Sequence, residues 1–418
     1  MVIKVSIEML SSYTSSAYDE LSTMNNLAVA YDEQGKHREA EALLKQCLDK
    51  QKEALGENHP TTLSSMNNLA NAYGSQGKHK EAEVLYKQCL DKRKELLGEG
   101  HPSTLSSMNN LADAYGRQGM HSDAEVLYKL CLNKQKGVLG EGHPDTLVTM
   151  SNLATTYYRQ GKYRDAEVLY KLCLDKRKEV LGEGHPSTLS TMSNLAVAYD
   201  DQGKHSDAEV LYKLCLDKQK AVLGEGHPDT LSTMNNLANA YDDQGKYREA
   251  EALYKECLDK QKEVLGEGHP STLSTMSNLA VAYDDQGKHS VAEVLYKLCL
   301  DKRKEVLGEG HPSTLSTMNN LAGTYDDQGK YREAEALYKQ CLDKRKEVLG
   351  ENHPDTLGTM SNLAATYHHQ GKYRDAEVLC KLCFDQMKEV LGEGHPDTLS
   401  TMRLLADTTS KLESVSLG

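Results

Sequence analysis

The 418-residue sequence contains no tryptophan, a single phenylalanine (Phe384) and only nine prolines. Any core must therefore be built from Leu, Ala, Val, Met, Cys and Tyr. No apolar stretch approaches the ~20 residues that a helix needs to cross a bilayer. The N-terminal segment carries Glu8 within a short apolar run and lacks a small-residue cleavage site, so it matches a signal peptide poorly.

Positive charge is also in deficit, with 49 Lys and Arg against 62 Asp and Glu and a net charge of −13 at pH 7. Nucleic acid and anionic membranes attract proteins through a positive field, so we expect neither as a partner. Nine of the ten cysteines recur once per repeat, within apolar helical stripes, where a thiol acts as a small buried hydrophobe. This placement favours a reduced, cytoplasmic protein.

The dipeptide His-Pro recurs every 42 residues, and its copies contain every proline of the chain. The sequence between the copies repeats as well, which is the signature of a repeat architecture. A weaker period of 84 alternates His205-Ser206 and His289-Ser290 with Tyr247-Arg248 and Tyr331-Arg332. Such near-identity indicates recent duplication. The His-Pro histidines stand at positions 59, 101, 143, 185, 227, 269, 311, 353 and 395.

One repeat, from His227 to Gly268, contains two apolar stripes at helical spacing. Pro228 suits the first turn of the first helix, and Gly245 suits its left-handed end. The pattern predicts a helical hairpin with helices of about 15 and about 18 residues and no strand. The first stripe comprises Leu231, Met234, Leu237, Ala238 and Tyr241, and the second Ala250, Leu253, Tyr254, Cys257, Leu258, Val264 and Leu265.

A single hairpin cannot bury both of its apolar stripes, whereas stacked hairpins share a continuous core. The predicted fold is therefore all-α, a right-handed superhelical solenoid of antiparallel helix hairpins. We expect a short lead over 1–16, nine hairpins over 17–394, a capping helix over 395–411 and a tail over 412–418. Ser16 and Asp19 have the spacing of a capping box. Arg403, Leu404 and Thr409 depart from the other copies and predict a solvent-facing final helix.

Two phrases of this repeat resemble the tetratricopeptide signature. They are Met234-x-x-Leu237-Ala238-x-x-Tyr241 and Ala250-x-x-x-Tyr254, with Met in place of Trp and a period of 42 rather than ~34 residues. The longer unit, with its Asn-Asn-Leu-Ala, Gln-Gly-Lys-Tyr and Leu-Gly-x-x-His-Pro phrases, closely resembles the repeats of kinesin light chains. It also resembles nephrocystin-3-like arrays and arrays linked to NB-ARC domains.

The resemblance implies that the first helix of each hairpin lines a concave groove in which peptides of partner proteins dock. A scaffold or adaptor that binds proteins is the leading hypothesis. The alternatives are a kinesin light chain-like cargo adaptor in microtubule transport, the sensor array of a larger NB-ARC-type regulator, and a structural array that associates with itself. Kinesin light chains also carry a long coiled coil, for which about 16 residues ahead of the array are too few.

Polar residues on the first helix point away from its apolar stripe and form the candidate groove. An asparagine recurs in the middle of this helix, and its amide can both donate to and accept from a peptide backbone. The alternative is that this asparagine bonds a neighbouring hairpin and holds the stack together. The predicted groove residues are Asn68, Asn71, Asn110, Asp113, Asn152, Asn194, Asp201, Asn236, Asn239, Asp243, Asn278, Asp285, Asn320, Asp327 and Asn362.

Aspartate pairs end the first helices of hairpins five to eight: 200–201, 242–243, 284–285 and 326–327. Negative charge at a helix C-terminus opposes the macrodipole by roughly 0.3–1 kcal/mol, so helix stability does not explain these pairs. Either Lys204, Lys246 and Arg248 neutralise them, or they face a basic ligand. We expect a groove that is acidic across hairpins five to eight, suited to Lys- or Arg-containing peptides, and more neutral or basic towards either end.

Catalysis and metal binding have little support in the sequence. The His-Pro histidines are one repeat apart and are better explained as helix caps or packing residues. Cys380-x-x-Cys383 is the nearest approach to a metal or redox motif, and His368-His369 directs its two rings differently. The Gly-Glu-Gly connectors lack the context of a phosphate-binding loop. We therefore expect a protein that is not an enzyme, with no catalytic residue, no cofactor and no metal.

Overall fold

A computed structural model describes residues 20–32 and 34–417 of the chain. These residues form helices joined by short turns and contain no strand, which confirms the predicted all-α class. No helix in this part of the chain is both long enough and apolar enough to cross a membrane. The predicted capping box at Ser16 and Asp19 lies outside the described residues.

The helices follow the repeat closely. The first helices of the hairpins are α1 (20–32), α3 (Pro60–Ser75), α5 (Pro102–Arg117), α7 (Pro144–Arg159), α9 (Pro186–Asp200), α11 (Pro228–Asp243), α13 (Pro270–Asp285), α15 (Pro312–Asp327) and α17 (Pro354–His369). The second helices are α2 (His37–Leu55), α4 (His79–Leu97), α6 (His121–Val138), α8 (Tyr163–Leu181), α10 (His205–Val222), α12 (Tyr247–Leu265), α14 (His289–Leu307), α16 (Tyr331–Leu349) and α18 (Tyr373–Val390). The chain continues into α19 (Pro396–Leu417).

The chain divides into two compact units, unit 1 (Met1–Leu211) and unit 2 (Tyr212–Gly418), with the boundary inside α10. Within unit 1, helices α2 to α9 pack in chain order, each against the one before and the one after. Within unit 2, helices α11 to α19 do the same. Each unit is therefore a stack of antiparallel hairpins, as expected for a solenoid.

The His-Pro dipeptide starts the first helices. In α11, His227 is the N-cap, its ring Nδ1 accepts a hydrogen bond from the Asp229 N–H at 3.2 Å, and Pro228 occupies the first turn. The same geometry holds in α13, where the Ser271 N–H donates to Nδ1 of His269 at 3.2 Å. The proline lacks an N–H that would be unpaired there, and the histidine satisfies one of the others. The interpretation of these histidines as caps is confirmed.

A glycine is the C-cap of α2, α4, α8, α12, α14 and α16, because the chain there adopts a backbone conformation that side chains disfavour. Gly266, the C-cap of α12, has φ 89° and ψ 160°, and its N–H donates to the Lys262 carbonyl at 3.1 Å. This region of φ and ψ is essentially restricted to glycine. The turn that follows leads directly into the next His-Pro cap.

The core lies between consecutive hairpins. In unit 2, one apolar cluster extends from α11 to α16 and includes Leu273, Met276, Tyr296 and Cys299, all of them buried. The Cys299 thiol donates to the Leu273 carbonyl oxygen at 3.3 Å, and burial raises the pKa of this thiol. The recurring cysteines are therefore packing residues, as the sequence predicted.

The final helix differs from its siblings in exposure and length. Met402 of α19 is 44% exposed, whereas Met360 at the same place in α17 is 1% exposed. Arg403 is exposed as well, so α19 turns to solvent a face that the other first helices bury. The helix runs to Leu417, beyond residue 411, where the sequence analysis ended the capping helix.

Two glycine substitutions separate backbone strain from helix propensity. We expect Gly266→Ala to destabilise unit 2 by about 1–3 kcal/mol, because the C-cap conformation is strained for alanine. Gly137→Ala, on the exposed side of α6 with open space around the added methyl group, should instead stabilise the fold by about 0.5–1 kcal/mol. Ala221 already occupies the matching position of α10.

The midpoints of thermal unfolding, followed by circular dichroism, check both changes. Shifts in the same direction for the two variants would contradict this account of the turns.

Candidate functional site

The fifteen predicted groove residues lie on the first helices or directly at their ends, and each is at least partly exposed. We call this set of residues the A-face. On α11 the A-face residues Asn236, Asn239 and Asp243 lie away from the buried Met234 and Leu237. Because packing does not occupy it, the A-face is accessible to a partner within each unit.

The recurring asparagines also link neighbouring hairpins. The amide nitrogen of Asn68 donates to Asn25 Oδ1 at 3.2 Å, and that of Asn110 donates to Asn67 Oδ1 at 3.3 Å. In unit 2 the amide nitrogen of Asn278 donates to Asn239 Oδ1 at 3.2 Å. The structural role weighed in the sequence analysis is therefore present. A ligand would compete for these amides or use their remaining donor and acceptor sites.

A recess of about 290 Å³ opens on the A-face of unit 2, between α11 and α13. We call it the acidic recess. The Tyr254 hydroxyl of α12 donates to Asn239 Oδ1 at its base. Its lining residues are Asn239, Asp242, Asp243, Tyr254, Asn278 and Val281.

Asp242 differs from the equivalent first aspartate of the next hairpin, Asp284. The Asp284 carboxylate is hydrogen bonded to Nδ1 of His289 at 2.6 Å and accepts from the Thr324 hydroxyl at 2.8 Å. At the matching positions around Asp242 the sequence has Tyr247 and Ala282, neither of which reproduces these bonds. Consistent with this difference, the buried Oδ1 of Asp242 has no hydrogen-bond partner among the described residues.

The acidic recess concentrates negative charge. Burial raises the pKa of Asp242 to about 6, and the carboxylates of Asp285 and Asp243 add to the shift. Burial and the neighbouring Asp284 and Asp243 also raise the pKa of Asp285. A carboxyl group with a raised pKa is one whose charge is poorly compensated, so the recess favours a cation.

The lysines that follow the aspartate pairs have other partners. Lys288 contacts Glu251 at 2.9 Å and lies over the Tyr283 ring, 5.2 Å from its centroid. Hydrogen bonds from Lys255 and Lys288 lower the pKa of Glu251 to about 2. Lys204 in unit 1 contacts Glu167 at 2.6 Å in the same way. Lys204 and Lys288 therefore belong to a structural network of Lys, Glu and Tyr, and these contacts are made with glutamate and tyrosine and not with the aspartate pairs.

The corresponding recess in unit 1 is neutralised within the chain. A cavity of about 170 Å³ is lined by residues that include Asn71, Tyr86, Asp113 and Arg117. The Tyr86 hydroxyl donates to Asn71, as its counterpart does in unit 2. However, the Arg117 guanidinium donates to Asp113 at 2.7 Å, so the charges of this exposed pair compensate each other. This contrast agrees with the expectation of a more neutral surface in the early hairpins.

Sequence profiles of the tetratricopeptide repeat match the chain over residues 19–221 and 355–414, and a second such profile matches 230–355. Together these matches cover nearly all of the hairpins described above. The chain belongs to the tetratricopeptide repeat family. No curated protein sequence matches it.

Solved structures share the repeat architecture. The nearly identical TPR-like repeats of a kinesin light chain candidate from Podosopora anserina are 30% identical, with a TM-score of 0.45, and the match covers 49% of this chain and 97% of the other. The apo quorum sensor NprR from B. thuringiensis is 17% identical with a TM-score of 0.60, over 89% and 99% of the two chains. Apo RapI is 13% identical with a TM-score of 0.54, over 94% and 98%. The last two similarities concern the fold alone.

In the structure of this tetratricopeptide array, some of the predicted groove residues lie together in the acidic recess and others lie elsewhere. Asn239, Asp243 and Asn278 meet in the acidic recess. Asp201 in unit 1 instead accepts a hydrogen bond from the Tyr158 hydroxyl. Sequence reasoning placed Asp243 on the list of groove residues and named Asp242 only as a member of an aspartate pair. The period of 84 contained part of the missing signal, because the first aspartate is bonded to the histidine five residues later where the sequence has one, as Asp284 is to His289.

The groups that could bind a metal or take part in redox chemistry give little support for either role. Asp284, His289 and Asp327 each offer one ligand atom, all within 4.8 Å of one another. Three ligands of this kind are fewer than the four of a structural zinc site, and Nδ1 of His289 is already hydrogen bonded to Asp284. Burial raises the pKa of the Cys380 thiol to about 11 and of the Cys383 thiol to about 12, so neither forms a reactive thiolate readily.

The pKa of Asp242 has a consequence for stability. The pKa is raised above the ordinary value of 3.8, so the folded state holds the proton more tightly than the unfolded state does. The stabilising effect of this group is therefore complete below its ordinary pKa and is lost as the pH rises through about 6. We expect Asp242→Asn to be more stable than the parent chain at pH 7, with the difference shrinking as the pH falls from about 6 towards the ordinary value of 3.8.

Urea unfolding at a series of pH values measures this difference, and carbon NMR titration gives the carboxyl pKa directly. Glu251, with its lowered pKa, is the internal control. An Asp242 carboxyl that titrates at its ordinary value would contradict the unpaired, charge-crowded geometry.

Proposed function

We propose that this tetratricopeptide protein is a non-catalytic scaffold that binds peptide segments of partner proteins on its A-face. The fold supports this function because it presents one polar face of each first helix while the opposite face forms the core. Contacts spread over several hairpins give affinity through many modest interactions in place of one deep pocket. The described site has the same character, with shallow recesses lined by amides and carboxylates.

The partner segments of unit 2 are proposed to be basic. The observation that supports this is the unpartnered Oδ1 of Asp242, beside Asp243 and Asp285, in the acidic recess. A lysine or arginine side chain that entered the recess would supply the missing donor and compensate the charge. Charge-assisted hydrogen bonds of this kind are about twice as strong as neutral ones.

Asparagines flank the recess and are proposed to hold the peptide backbone. Asn278 lines the recess, and its amide nitrogen already reaches towards Asn239. The amide oxygen of such a residue can accept from a peptide N–H while its nitrogen stays in the interhairpin bond. Backbone contacts of this type tolerate many peptide sequences, so specificity would come from charge.

We further propose that the protein works in a reducing compartment such as the cytoplasm. All ten cysteines are buried and free, although disulfides are the usual state of cysteine in oxidising compartments. Alkylation of the chain immediately after cell lysis, under denaturing conditions, should label all ten thiols. Disulfide-bonded material in that experiment would place the protein elsewhere.

Peptide titrations test the proposed function. We expect Lys- and Arg-rich peptides to bind more tightly than matched acidic peptides, with an affinity that falls as salt is added, because the attraction is partly electrostatic. The double variant Asp242→Asn, Asp285→Asn should lose about fivefold in affinity for a basic peptide, at ~0.5 kcal/mol for each partly exposed charge. Isothermal titration calorimetry gives both quantities.

The matched control is Glu263→Gln with Glu305→Gln, which removes the same charge from exposed positions on α12 and α14. This pair should change the affinity little. A preference for acidic peptides, or an equal loss from both pairs, would refute binding of basic segments at the recess.

A further inference from the structure

One buried position on the second helices is arginine or glutamine in eight hairpins and methionine (Met387) in α18. Arginine occupies it in α4, α8, α14 and α16, and glutamine occupies it in α2, α6, α10 and α12. In unit 2, Arg303 of α14 is 6% exposed and Gln261 of α12 is 3% exposed. The hairpins are otherwise nearly identical, so each arginine site shows what surrounds the shorter glutamine.

Oxygen acceptors of the first helices hold the two terminal nitrogens of the Arg303 guanidinium. Its Nη1 donates to the Ser313 carbonyl oxygen at 2.8 Å and to the Thr317 hydroxyl, and its Nη2 donates to the Leu273 carbonyl oxygen at 3.3 Å. In the next hairpin, Nη2 of Arg345 donates to the Ser316 hydroxyl at 3.4 Å. The arginine hairpins therefore contain a polar site that accepts a planar cation.

The glutamine hairpin of unit 2 has the same acceptors around an open cavity. This cavity of about 400 Å³ lies between α11, α12 and α13. We call it the Gln261 cavity. The counterparts of the acceptors around Arg303, one repeat earlier in the chain, all line it: Ser271, Thr275 and Leu231. Ser232, two repeats before the Ser316 that bonds Arg345, lines it as well.

Gln261 itself lines the cavity and is incompletely bonded. Its Oε1 is buried and has no hydrogen-bond partner among the described residues. A buried acceptor without a donor costs free energy, of the order of 1–3 kcal/mol, and a ligand that donates to it recovers part of that cost. The cavity thus combines unused acceptor capacity with space for a donor.

The cavity opens to solvent next to the A-face residue Asn236. Ser232, Pro270 and Ser274 are exposed at its rim, and Asn235 of α11 also lines it. Gln261 lies in the last turn but one of α12, near the helix C-terminus, where the macrodipole favours positive charge. A peptide that lies along the A-face of unit 2 could therefore place a side chain here.

We infer that the Gln261 cavity binds the guanidinium group of an arginine side chain of a bound peptide. This inference rests on the proposed function and specifies one of its side-chain subsites. The incoming guanidinium takes the place that the chain's own arginine fills in the Arg303 hairpin. Its N–H groups donate to the Ser271 carbonyl, the Thr275 hydroxyl and the free Oε1 of Gln261.

The acceptor geometry selects a guanidinium over an ammonium group. The guanidinium presents five N–H donors in a fixed plane, whereas the lysine ammonium is a compact point charge that is strongly hydrated. In the Arg303 site the acceptors are carbonyl and hydroxyl oxygens on two different helices, α13 and α15, bridged by the two ends of one planar group. The Gln261 cavity keeps that arrangement on α11 and α13.

N-Acetylarginine amide tests the inference directly, with the intact chain labelled with ¹⁵N in its glutamine side chains. The amide signal of Gln261, assigned from its loss in Gln261→Arg, should shift saturably as the probe is added. N-Acetylcitrulline amide, which is similar in shape but neutral, and N-acetyllysine amide should each bind at least about tenfold more weakly. No shift, or equal binding of either control compound, would overturn the inference.

The chain supplies matched variants in both directions. Gln261→Arg should fold with an unchanged thermal midpoint, because Arg303 and Arg345 occupy the same environment, and its own guanidinium should remove the cavity's contribution to binding. Arg303→Gln should create a second cavity, so that a new glutamine signal responds to N-acetylarginine amide. Undiminished probe binding by Gln261→Arg, measured from broadening of the probe signals, would count against the site.

The same probe separates this inference from the function on which it rests. If the arginine probe shifts the Gln261 signal while basic peptides do not bind, the cavity is confirmed and the peptide scaffold fails. If basic peptides bind but arginine and citrulline at the same peptide position bind equally, the scaffold stands and the arginine subsite is refuted.

Discussion

The structure depends on one constraint: a single hairpin exposes apolar faces that only its neighbours can cover. In unit 2, residues such as Leu273, Met276 and Tyr296 form part of a cluster that several consecutive hairpins share. The hydrophobic stabilisation of each hairpin therefore belongs to the interface as much as to the hairpin itself. This arrangement leaves the opposite face of every first helix without a packing role, so polar residues vary there at little cost to the fold.

Because the copies are nearly identical, small sequence differences change the chemistry of individual sites. The backbone of one hairpin repeats in the next, so a residue change alters the side chains around a fixed site without moving it. Gln261 in place of arginine opens a cavity among acceptors that Arg303 satisfies internally. Tyr247 and Ala282, in place of His289 and Thr324, leave a carboxylate oxygen without its partners. Duplication thus provides the scaffold, and substitution differentiates its surface.

The acidic recess contains aspartates that are unfavourable for the local stability of their helix. Aspartates at the end of a helix oppose its macrodipole, and partial burial beside other carboxylates raises their pKa. Such features persist when the surrounding packing is strong enough to hold them, and they concentrate at sites of function. In the matching recess of unit 1, Arg117 neutralises Asp113, so a recess of this kind also forms without uncompensated negative charge.

The sequence alone determined the class of fold, the period, the caps and the core, because these follow from apolar spacing, proline and glycine within one repeat. His227 as a cap and Cys299 as a packing residue are local consequences of this kind. The state of individual polar groups depended on tertiary structure. Whether Asp242 or Gln261 finds a partner depends also on residues of neighbouring helices, such as Ala282 and Leu231, which the stacking of hairpins brings close to them.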